Sequence, residues 1–383
     1  MSKTANHKRL GNYIRVVDVR NRELQVETLL GLSIEKRFIP SIANTIGTDM
    51  SSYKVVQSRQ FAYGPVTSRN GDKITIALYE GEGDVIISQA YTVFEITDVT
   101  QLYPDYLMMW FRRPEFDRYA RFRSHGSARE IFDWETMCDV MLPVPSIEEQ
   151  HHIVSEYQAL TKRIEINNQL IAKLEDTAQA LYRKMFVDGI DKENLPEGWR
   201  MGTLGEYCLE MKSGGTPSRS NHNFWNSHDY RWLKTGEVHN NIIFDTEEYI
   251  SEDGLKGSSA KLIPSNSVIM AMYGATAAQV AFLNCETTTN QACCNMICRN
   301  KLDASFLYFH LLYNQNNIKR LANGGAQENL SQELIAKQII IIFDDDNIKN
   351  KFVNLIDLII CKSQENILLT DLQSLLLSKM GTN

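Results

Sequence analysis

The sequence lacks the short motifs that mark common nucleotide-using and hydrolytic enzymes. No Gly-Lys dipeptide occurs, which excludes a P-loop, and no Pro-Pro dipeptide occurs, which excludes the (Asn/Asp)-Pro-Pro-aromatic loop of amino-methyltransferases. H-E-x-x-H, G-x-S-x-G and a G-x-G-x-x-G after a strand are also absent. These absences favour a binding role, so we predict no catalytic residues and no cofactor bound by this chain.

The cysteines and the apolar runs exclude two further classes of protein. Seven cysteines are present, but none forms a C-x-x-C pair. Cys293, Cys294 and Cys298 lie close together without flanking histidines, which does not suit a zinc site. We therefore predict free thiols on a buried strand and no metal. No run approaches the ~18 apolar residues of a membrane span, so we expect a cytoplasmic protein without membrane contact.

The overall charge gives no support to DNA binding, but its distribution does. The formal net charge is −7, whereas contacts to phosphates need lysine and arginine. Residues 112–129 nevertheless hold Arg112, Arg113, Arg118, Arg121, Arg123 and Arg129 against only Glu115 and Asp117. A DNA-binding protein with this local basic segment is possible if partner subunits also contact the duplex.

The two halves of the chain share landmarks in one order. Each half has a turn with a strand-like run, a Gln-Ala step, an aromatic amphipathic segment, a glycine-containing loop, a short apolar strand and a long helical segment. The landmarks before the helix lie at 81–88, 87–96, 103–119, 124–132 and 138–145, and at 263–274, 289–298, 303–321, 323–330 and 337–343. A shared scaffold with divergent loops is typical of related domains that recognise different targets.

A long helix between the halves is the clearest physical signal. Ser146 and Glu149 have the spacing of a capping box, and an apolar heptad then runs to Met185. At 1.5 Å per residue, such a helix is roughly 50 Å long. Asn167 is the polar member of the seam, and we interpret it as a residue that fixes register and partner. The predicted seam is Ile153, Tyr157, Leu160, Ile164, Asn167, Ile171, Leu174, Ala178, Leu181 and Met185.

A second helix is predicted from about Asn347 to Met380, and its seam shifts phase near Lys362 to Gln364. The economical inference is that the two helices pair with each other, antiparallel, while the alternative is that each joins a partner protein. Both arrangements are compatible with the pattern. The predicted stripe of the second helix is Phe352, Leu355, Ile356, Ile359, Ile360, Ile367, Leu368, Leu372, Leu375 and Leu376.

Together these patterns predict an α+β protein with a pseudo-twofold repeat. Two α/β-type globular target-recognition domains are joined by two long antiparallel coiled-coil helices. The predicted segments are a first domain at 1–145, a central helix at 146–188, a connector at 189–198, a second domain at 199–345 and a C-terminal helix at 346–383.

Several segments carry a resemblance to a known family. LPVPSIEEQHHIV at 142–154, followed by 167–188, resembles the specificity subunit of Type I restriction-modification systems. The block at 196–226 with GGTPSR, then RWLKTGEV at 231–238, resembles the opening of that family's recognition domains. Residues 53–65 and 85–96 resemble another common version of it. The similarity covers nearly the whole chain, but the first domain lacks the Gly-Gly-Thr-Pro segment.

The resemblance implies a non-catalytic DNA-binding subunit of a methyltransferase and endonuclease complex. Each recognition domain would read one half of a split site in double-stranded DNA, with the helices as spacer. Two modification subunits would bind S-adenosylmethionine and methylate adenine N6. Two restriction subunits, with ATP and magnesium, would supply nuclease and translocase activity. A helical adaptor that assembles partner subunits without direct base readout is the alternative.

Candidate DNA contacts follow from side-chain chemistry, because Arg, Lys, amides and hydroxyls read bases and bind phosphates. In the second domain the two glycines of the GGTPSR loop would let its backbone approach phosphate. Of the first-domain candidates, Tyr63 and Gln89 are those we most expect to be structural. The candidates are Arg59, Tyr63, Arg69, Lys73, Gln89, Arg121, Arg123, Ser127 and Arg129 in the first domain, and Lys212, Ser213, Gly214, Gly215, Thr216, Ser218, Arg219, Lys234, Thr235, Tyr273 and Gln291 in the second.

Overall fold

The computed structural model describes residues 7–41, 47–68, 70–125, 130–188, 190–321 and 329–381. These residues group into two units, Met1–Ile164 with Leu368–Asn383, and Glu165–Ile367. Both long helices contribute residues to both units. The predicted boundaries between globular domains and helices, near 145, 189, 199 and 346, stay predictions.

The first unit contains short strands followed by helices. The strands are β1 (His7–Arg9), β2 (Ile14–Val17), β3 (Leu30–Leu32), β4 (Phe38–Pro40), β5 (Lys54–Val56), β6 (Phe61–Tyr63), β7 (Ile76–Leu78), β8 (Val85–Ile87), β9 (Thr92–Ile96) and β10 (Met141–Pro143). The helices are α1 (Pro104–Arg112), α2 (Pro114–Arg123) and α3 (Trp134–Cys138), with 3-10 turns at Leu10–Asn12 and Met50–Ser52. The helix α4 (Ile147–Arg183) follows, and a π-helical turn at Lys184–Asp188 ends it.

The main sheet of the first unit has the strand order β2-β9-β6-β7, with antiparallel pairing throughout. Successive side chains on β6 point to opposite faces of the sheet. Phe61 and Tyr63 enter one core together with α1, while Ala62 enters the other core, beneath β5 and β8. Phe61 stacks on Phe94 of β9 at 5.0 Å between ring centroids. The sheet is therefore apolar on both faces.

The second unit repeats this plan with a larger main sheet. The strands are β11 (Arg200–Thr203), β12 (Glu210–Ser213), β13 (Tyr230–Leu233), β14 (Asn241–Ile243), β15 (Glu248–Ile250), β16 (Val268–Ala271), β17 (Val280–Leu283), β18 (Thr288–Thr289), β19 (Cys293–Ile297) and β20 (Ile339–Ile342). The helices are α5 (Leu204–Tyr207), α6 (Glu252–Lys256), α7 (Lys301–Lys319), α8 (Gln332–Ala336) and α9 (Asp346–Lys379), with 3-10 turns at His222–Phe224, Thr235–Glu237 and Gly274–Thr276.

The two units share the same order of paired strands in their main sheets. The second main sheet is β12-β19-β16-β17-β14, so its first four strands correspond in order to β2-β9-β6-β7. Outside the main sheets, β1 pairs with β10 and β11 pairs with β20, both antiparallel. The predicted α+β fold with two repeated domains is confirmed. Cys293 and Cys294 are buried on β19, as expected of free thiols on a buried strand.

The long helices pair antiparallel within each unit. In the second unit, Asn167 on α4 donates to Asn366 on α9 at 3.0 Å, and Phe186 lies 6.3 Å from Phe352 between ring centroids. In the first unit, Gln373 on α9 donates to Thr161 on α4 at 2.7 Å. The predicted pairing of the two helices is confirmed. All ten residues of the seam predicted on α4 are buried or partly buried.

The predicted apolar stripe of α9 is wrong over its last third. Ile367, Leu368, Leu372 and Leu375 are 45%, 60%, 48% and 49% exposed. The side that packs on α4 instead continues at seven-residue spacing through Phe352, Ile359, Asn366, Gln373 and Met380. The heptad is therefore unbroken, but its middle is polar. Apolar residues alone could not reveal it, because amides bonded to α4 fill those positions.

Candidate nucleic-acid interface

In the second unit, the predicted loop at 212–219 folds so that its glycines face inward. A Cβ on Gly214 would lie 2.1 Å from the carbonyl oxygen of Thr289, and one on Gly215 would lie 2.4 Å from the carbonyl carbon of Ser259. The N–H of Gly215 donates to Thr289 at 2.8 Å. The glycines are thus required by close packing of protein backbone, and the expectation that they approach phosphate stays a prediction.

The outer face of the same loop is polar and held by two indoles. Thr216, Ser218 and Arg219 are exposed. The indole N–H of Trp232 donates to the carbonyl of Gly215 at 2.9 Å, and that of Trp225 donates to the carbonyl of Ser218 at 3.1 Å. Because the backbone is fixed at both points, the exposed hydroxyls and the guanidinium are held in defined positions.

The structure joins this loop to the second Gln-Ala step. The hydroxyl of Thr216 donates to the side-chain oxygen of Gln291, which is exposed in the turn before β19. Two predicted contact residues that are 75 positions apart in sequence therefore share one surface. Earlier in the loop, Lys212 pairs with Glu210 at 3.0 Å, and Ser213 donates to Gln332 at 3.0 Å, so both are engaged within the unit.

The cations of this surface are already paired with carboxylates. Arg219 binds Glu248 and stacks on Trp225 at 3.6 Å from the ring centroid. Lys234 pairs with Glu247 at 2.9 Å and with Glu248 at 3.0 Å. These hydrogen bonds raise the pKa of Lys234, and the bond from Arg219 lowers the pKa of Glu248. Two positive and two negative charges cancel, so this surface suits base readout by amides and hydroxyls better than phosphate attraction.

Two further predicted residues flank this cluster. Thr235 is partly buried at the start of the 3-10 turn after Lys234. Tyr273 is 44% exposed and lies beside Gly274, whose φ is +72°. Its backbone forms an isolated bridge with Asn329, the first described residue after the gap in the glycine-containing loop.

The first unit has an equivalent of the Gln291 turn. Gln89 is exposed in the turn before β9, so the expectation that it is structural is not met. The Ser88 hydroxyl accepts the N–H of Ala90 at 3.4 Å, just as the Asn290 side chain accepts the N–H of Ala292 at 3.2 Å. Both Gln-Ala steps therefore occupy the same capped turn at the same end of equivalent strands.

Arg59 and Tyr63 occupy structural positions in the first unit. Arg59 has a positive φ of 70°, pairs with Asp105, and lies 5.8 Å above the Tyr103 ring. Tyr63 is fully buried between Phe94 and Phe132, and burial raises the pKa of its hydroxyl. Arg59 therefore contributes to the packing of the domain, and Tyr63 belongs to its core.

The remaining basic residues predicted as contacts in the first unit lie along α2. Arg121 is exposed and pairs with Glu130, while the Nε of Arg123 is buried with no hydrogen-bond partner among the described residues. Lys73 is exposed, and the next residue, Ile74, donates its N–H to Asp117 in the first half of α2 at 3.1 Å. The predictions at Arg69, Ser127 and Arg129 lie outside the described residues.

Three aromatic residues at these surfaces were not among the predicted contact residues. Trp225 and Trp232 hold the 212–219 loop through their indoles. Phe122, at the end of α2 between Arg121 and Arg123, is 82% exposed. An aromatic side chain within a run of arginines is a signal that could have identified Phe122, because such side chains contact bases as well as bury in cores.

Among the residues that the structure describes, no group of three or more His, Cys, Asp or Glu side chains is placed to hold a metal. Burial raises the pKa of Cys294 to about 12, so this thiol stays protonated and unreactive near neutral pH. Over the same described ranges, no helix has the length and apolar character of a membrane span.

Comparison with known proteins decides the family. The model of the Type I restriction modification DNA specificity domain matches residues 35–176 and 196–358. The chain belongs to this family. It is a specificity subunit of a Type I restriction-modification system, and such subunits are DNA-recognition proteins and not methyltransferase or nuclease subunits. The assignment fits DNA and further subunits of a complex as its partners in general.

Individual relatives agree with the family match. The HindI specificity subunit of Haemophilus influenzae is 23% identical over 88% of this chain and 89% of its own length. The MjaIX specificity subunit of Methanocaldococcus jannaschii is 25% identical over 44% of this chain and 42% of its own length. The solved S subunit from M. genitalium has a TM-score of 0.58 at 14% identity, covering 100% of this chain and 97% of that one, and shows the shared fold.

Proposed function

We propose that each recognition domain of this specificity subunit reads one half of a bipartite DNA site. The observation that carries the proposal is the repeated scaffold with unlike loops. The order β2-β9-β6-β7 recurs as β12-β19-β16-β17, and the equivalent turns present Gln89 and Gln291. Conserved strand order with different polar loops is suited to two readers of different base sequences.

The two surfaces would read DNA by different balances of contacts. In the second domain, Thr216, Ser218 and Gln291 offer hydroxyls and an amide beside neutralised cations. Such groups read base edges in the major groove. In the first domain, Lys73 and Arg121 are exposed beside α2 and would contribute more through phosphates, with Arg121 exchanging Glu130 for a phosphate. The other predicted contact residues that are exposed, Gln89, Arg219 and Tyr273, belong to the same proposal.

The helices would dock two modification subunits and set the spacing between the half-sites. Support for docking comes from Leu368, Leu372 and Leu375, which follow one face of α9 at spacings of four and three residues. All three are about half exposed or more. An apolar stripe of this kind on a long helix suits a partner helix. Support for a fixed spacing comes from the antiparallel pairing of α4 and α9 within each unit.

In the assembled cytoplasmic complex, the modification subunits would bind S-adenosylmethionine and methylate adenine N6. Two restriction subunits would bind ATP and magnesium. This chain would contribute recognition and geometry, in accordance with its lack of catalytic motifs. The alternative function is a helical adaptor that assembles partner subunits without direct base readout. The exposed Leu368, Leu372 and Leu375 would serve that role as well as docking of modification subunits.

Mapping of methylated adenines in cells with and without this chain tests the proposal. We expect a split adenine motif, with a fixed number of unspecified base pairs, that appears only when the chain is present. If purified complex binds partner subunits but no such motif appears and DNA binding shows no sequence preference, the adaptor function is supported instead.

A further inference from the structure

A cavity in the second unit lies between the long helices and the recognition domain. Its volume is about 330 Å³, which is within the range of small ligand sites. Residues of α4, α9, α7 and the region of β14 surround it. The residues that line it include Ile171, Glu175, Asn240, Ile242, Tyr308 and Ile359.

Glu175 carries the one charge among the residues that line this cavity. No hydrogen bond or ion pair joins its carboxylate to any residue that the structure describes, and no lysine or arginine is among the lining residues. Burial, and then the nearby charge of Asp176, raise the pKa of Glu175. A half-buried carboxylate without a partner is unfavourable for the chain alone, because neither water nor a cation fully compensates its charge.

The amides around the cavity are engaged with each other and leave the carboxylate available. Asn240 accepts from the backbone N–H of Val280 at 3.0 Å and from Gln315 at 2.7 Å. Asn168 accepts from Asn366 at 2.8 Å. These bonds hold the wall in place. By contrast, the hydroxyl of Tyr308 makes no hydrogen bond with a described residue, and the charge of Glu175 adds to burial in raising its pKa.

We propose that this cavity receives an arginine side chain of the modification subunit, with its guanidinium bound by Glu175. The proposal rests on the docking of modification subunits proposed above. Charge complementarity supports a cation, since the cavity supplies one negative charge and no positive charge. Arginine fits better than lysine, because its planar fork can bind the carboxylate through two N–H groups while a further N–H reaches the Tyr308 oxygen. Ile171 and Ile242 would cover its aliphatic stem.

Assembly of the wild-type and variant full-length chains with the purified modification subunit tests this contact. Glu175→Gln keeps the shape and removes the charge, and we expect it to weaken assembly by about 30-fold or more. The matched control is Asp176→Asn, which makes the same charge change at the next residue, where the side chain is exposed. We expect the control to bind within about two-fold of wild type.

Thermal unfolding of the free chain separates docking from a structural role. Because Glu175 has no partner in the described structure, we expect Glu175→Gln to unfold at or above the wild-type temperature. An assembly constant like that of wild type would overturn this inference alone and leave the docking proposal intact. A lower unfolding temperature for the variant would also overturn it. Failure of the wild-type chain to bind the modification subunit would overturn both proposals.

Discussion

In each recognition domain, the fourth residue of a long helix is buried and bonds to the domain. The two domains differ in the kind of bond that this residue makes. Gln150 is the fourth residue of α4, and Lys349 is the fourth residue of α9. Gln150 is fully buried and bonds to the N–H of Tyr103, just before α1, at 2.8 Å. Lys349 is 2% exposed and binds Asp303, in the first turn of α7, at 2.6 Å.

The repeat therefore conserves the position of this buried residue more strongly than its chemical type. Gln150 donates in addition to the carbonyls of Gln101 and Pro145, each at 2.9 Å. In the second domain the buried pair of Lys349 and Asp303 takes the place of this neutral amide network, and the half-exposed Arg299 also binds Asp303, at 2.7 Å. A broken buried ion pair leaves an uncompensated charge, whereas a broken amide network leaves unsatisfied dipoles. The attachment of the second domain is therefore the more fragile to single substitutions.

Replacing Lys349 is the strongest way to test this comparison. Lys349→Met removes the buried ammonium from the Asp303 carboxylate, which is 1% exposed and keeps the half-exposed Arg299 as its remaining cation among the described residues. We expect the free energy of unfolding to fall by about 3–5 kcal/mol. Chemical denaturation of the full chain measures the change. Lys351→Met, at an exposed position in the same turn, is the control and should cost less than about 0.5 kcal/mol.

Replacing Gln150 should lower the free energy of unfolding by less than replacing Lys349. Gln150→Leu removes bonds to the Tyr103 N–H and to the carbonyls of Gln101 and Pro145. We expect a loss of about 2–3 kcal/mol, because buried dipoles are left unsatisfied but no charge is. The same denaturation experiment measures it. A loss greater than that of Lys349→Met would remove the distinction between the two attachments.

Replacing Asn167, the polar residue of the helix seam, should have a smaller effect on the free energy of unfolding. Asn167 is 1% exposed and donates to Asn366 at 3.0 Å. We expect Asn167→Ala to lower the free energy of unfolding by about 1–2 kcal/mol through the lost hydrogen bond and the space left behind. Gln169→Ala, two residues on and exposed, should have little effect. Equal effects of the two substitutions in denaturation would show that the seam does not depend on Asn167.

The last substitution affects DNA binding by the first domain and not the stability of the chain. Replacing Arg121 and Arg123 by Ala should weaken binding of the assembled complex by about ten-fold at moderate salt. It should also flatten the dependence of log K on log salt, because fewer phosphates are neutralised. Titration of labelled DNA at several salt concentrations measures both. An unchanged affinity and slope would remove this basic segment from the interface.

The sequence predicted well those features that depend on local periodicity. The heptad of α4 places all ten predicted residues on its packed side, because apolar side chains repeat there without a shift. The repeat of strands was also readable from the order of the landmarks. On α9 the same reasoning failed from Ile367 onward, because Asn366 and Gln373 occupy the packed side and leucines the exposed one.

Features that depend on contacts distant in sequence could not be predicted. The pair between Lys349 and Asp303 joins residues 46 positions apart, and nothing local distinguishes either from a surface charge. The glycines of the 212–219 loop signal a close approach, but the sequence could not show that the backbone near Thr289 and Ser259 packs against them. The charges that neutralise Arg219 and Lys234 come from Glu247 and Glu248, which only the fold brings alongside.

Exchange of one recognition domain tests directly whether each domain reads its own half-site. Residues 1–140 would be replaced by the corresponding domain of a specificity subunit with a different known target, and the methylated adenine motif would be mapped. If the two domains read separate half-sites, one half of the motif changes while the other half and the spacing stay the same. A change in both halves, or none in either, would contradict the account.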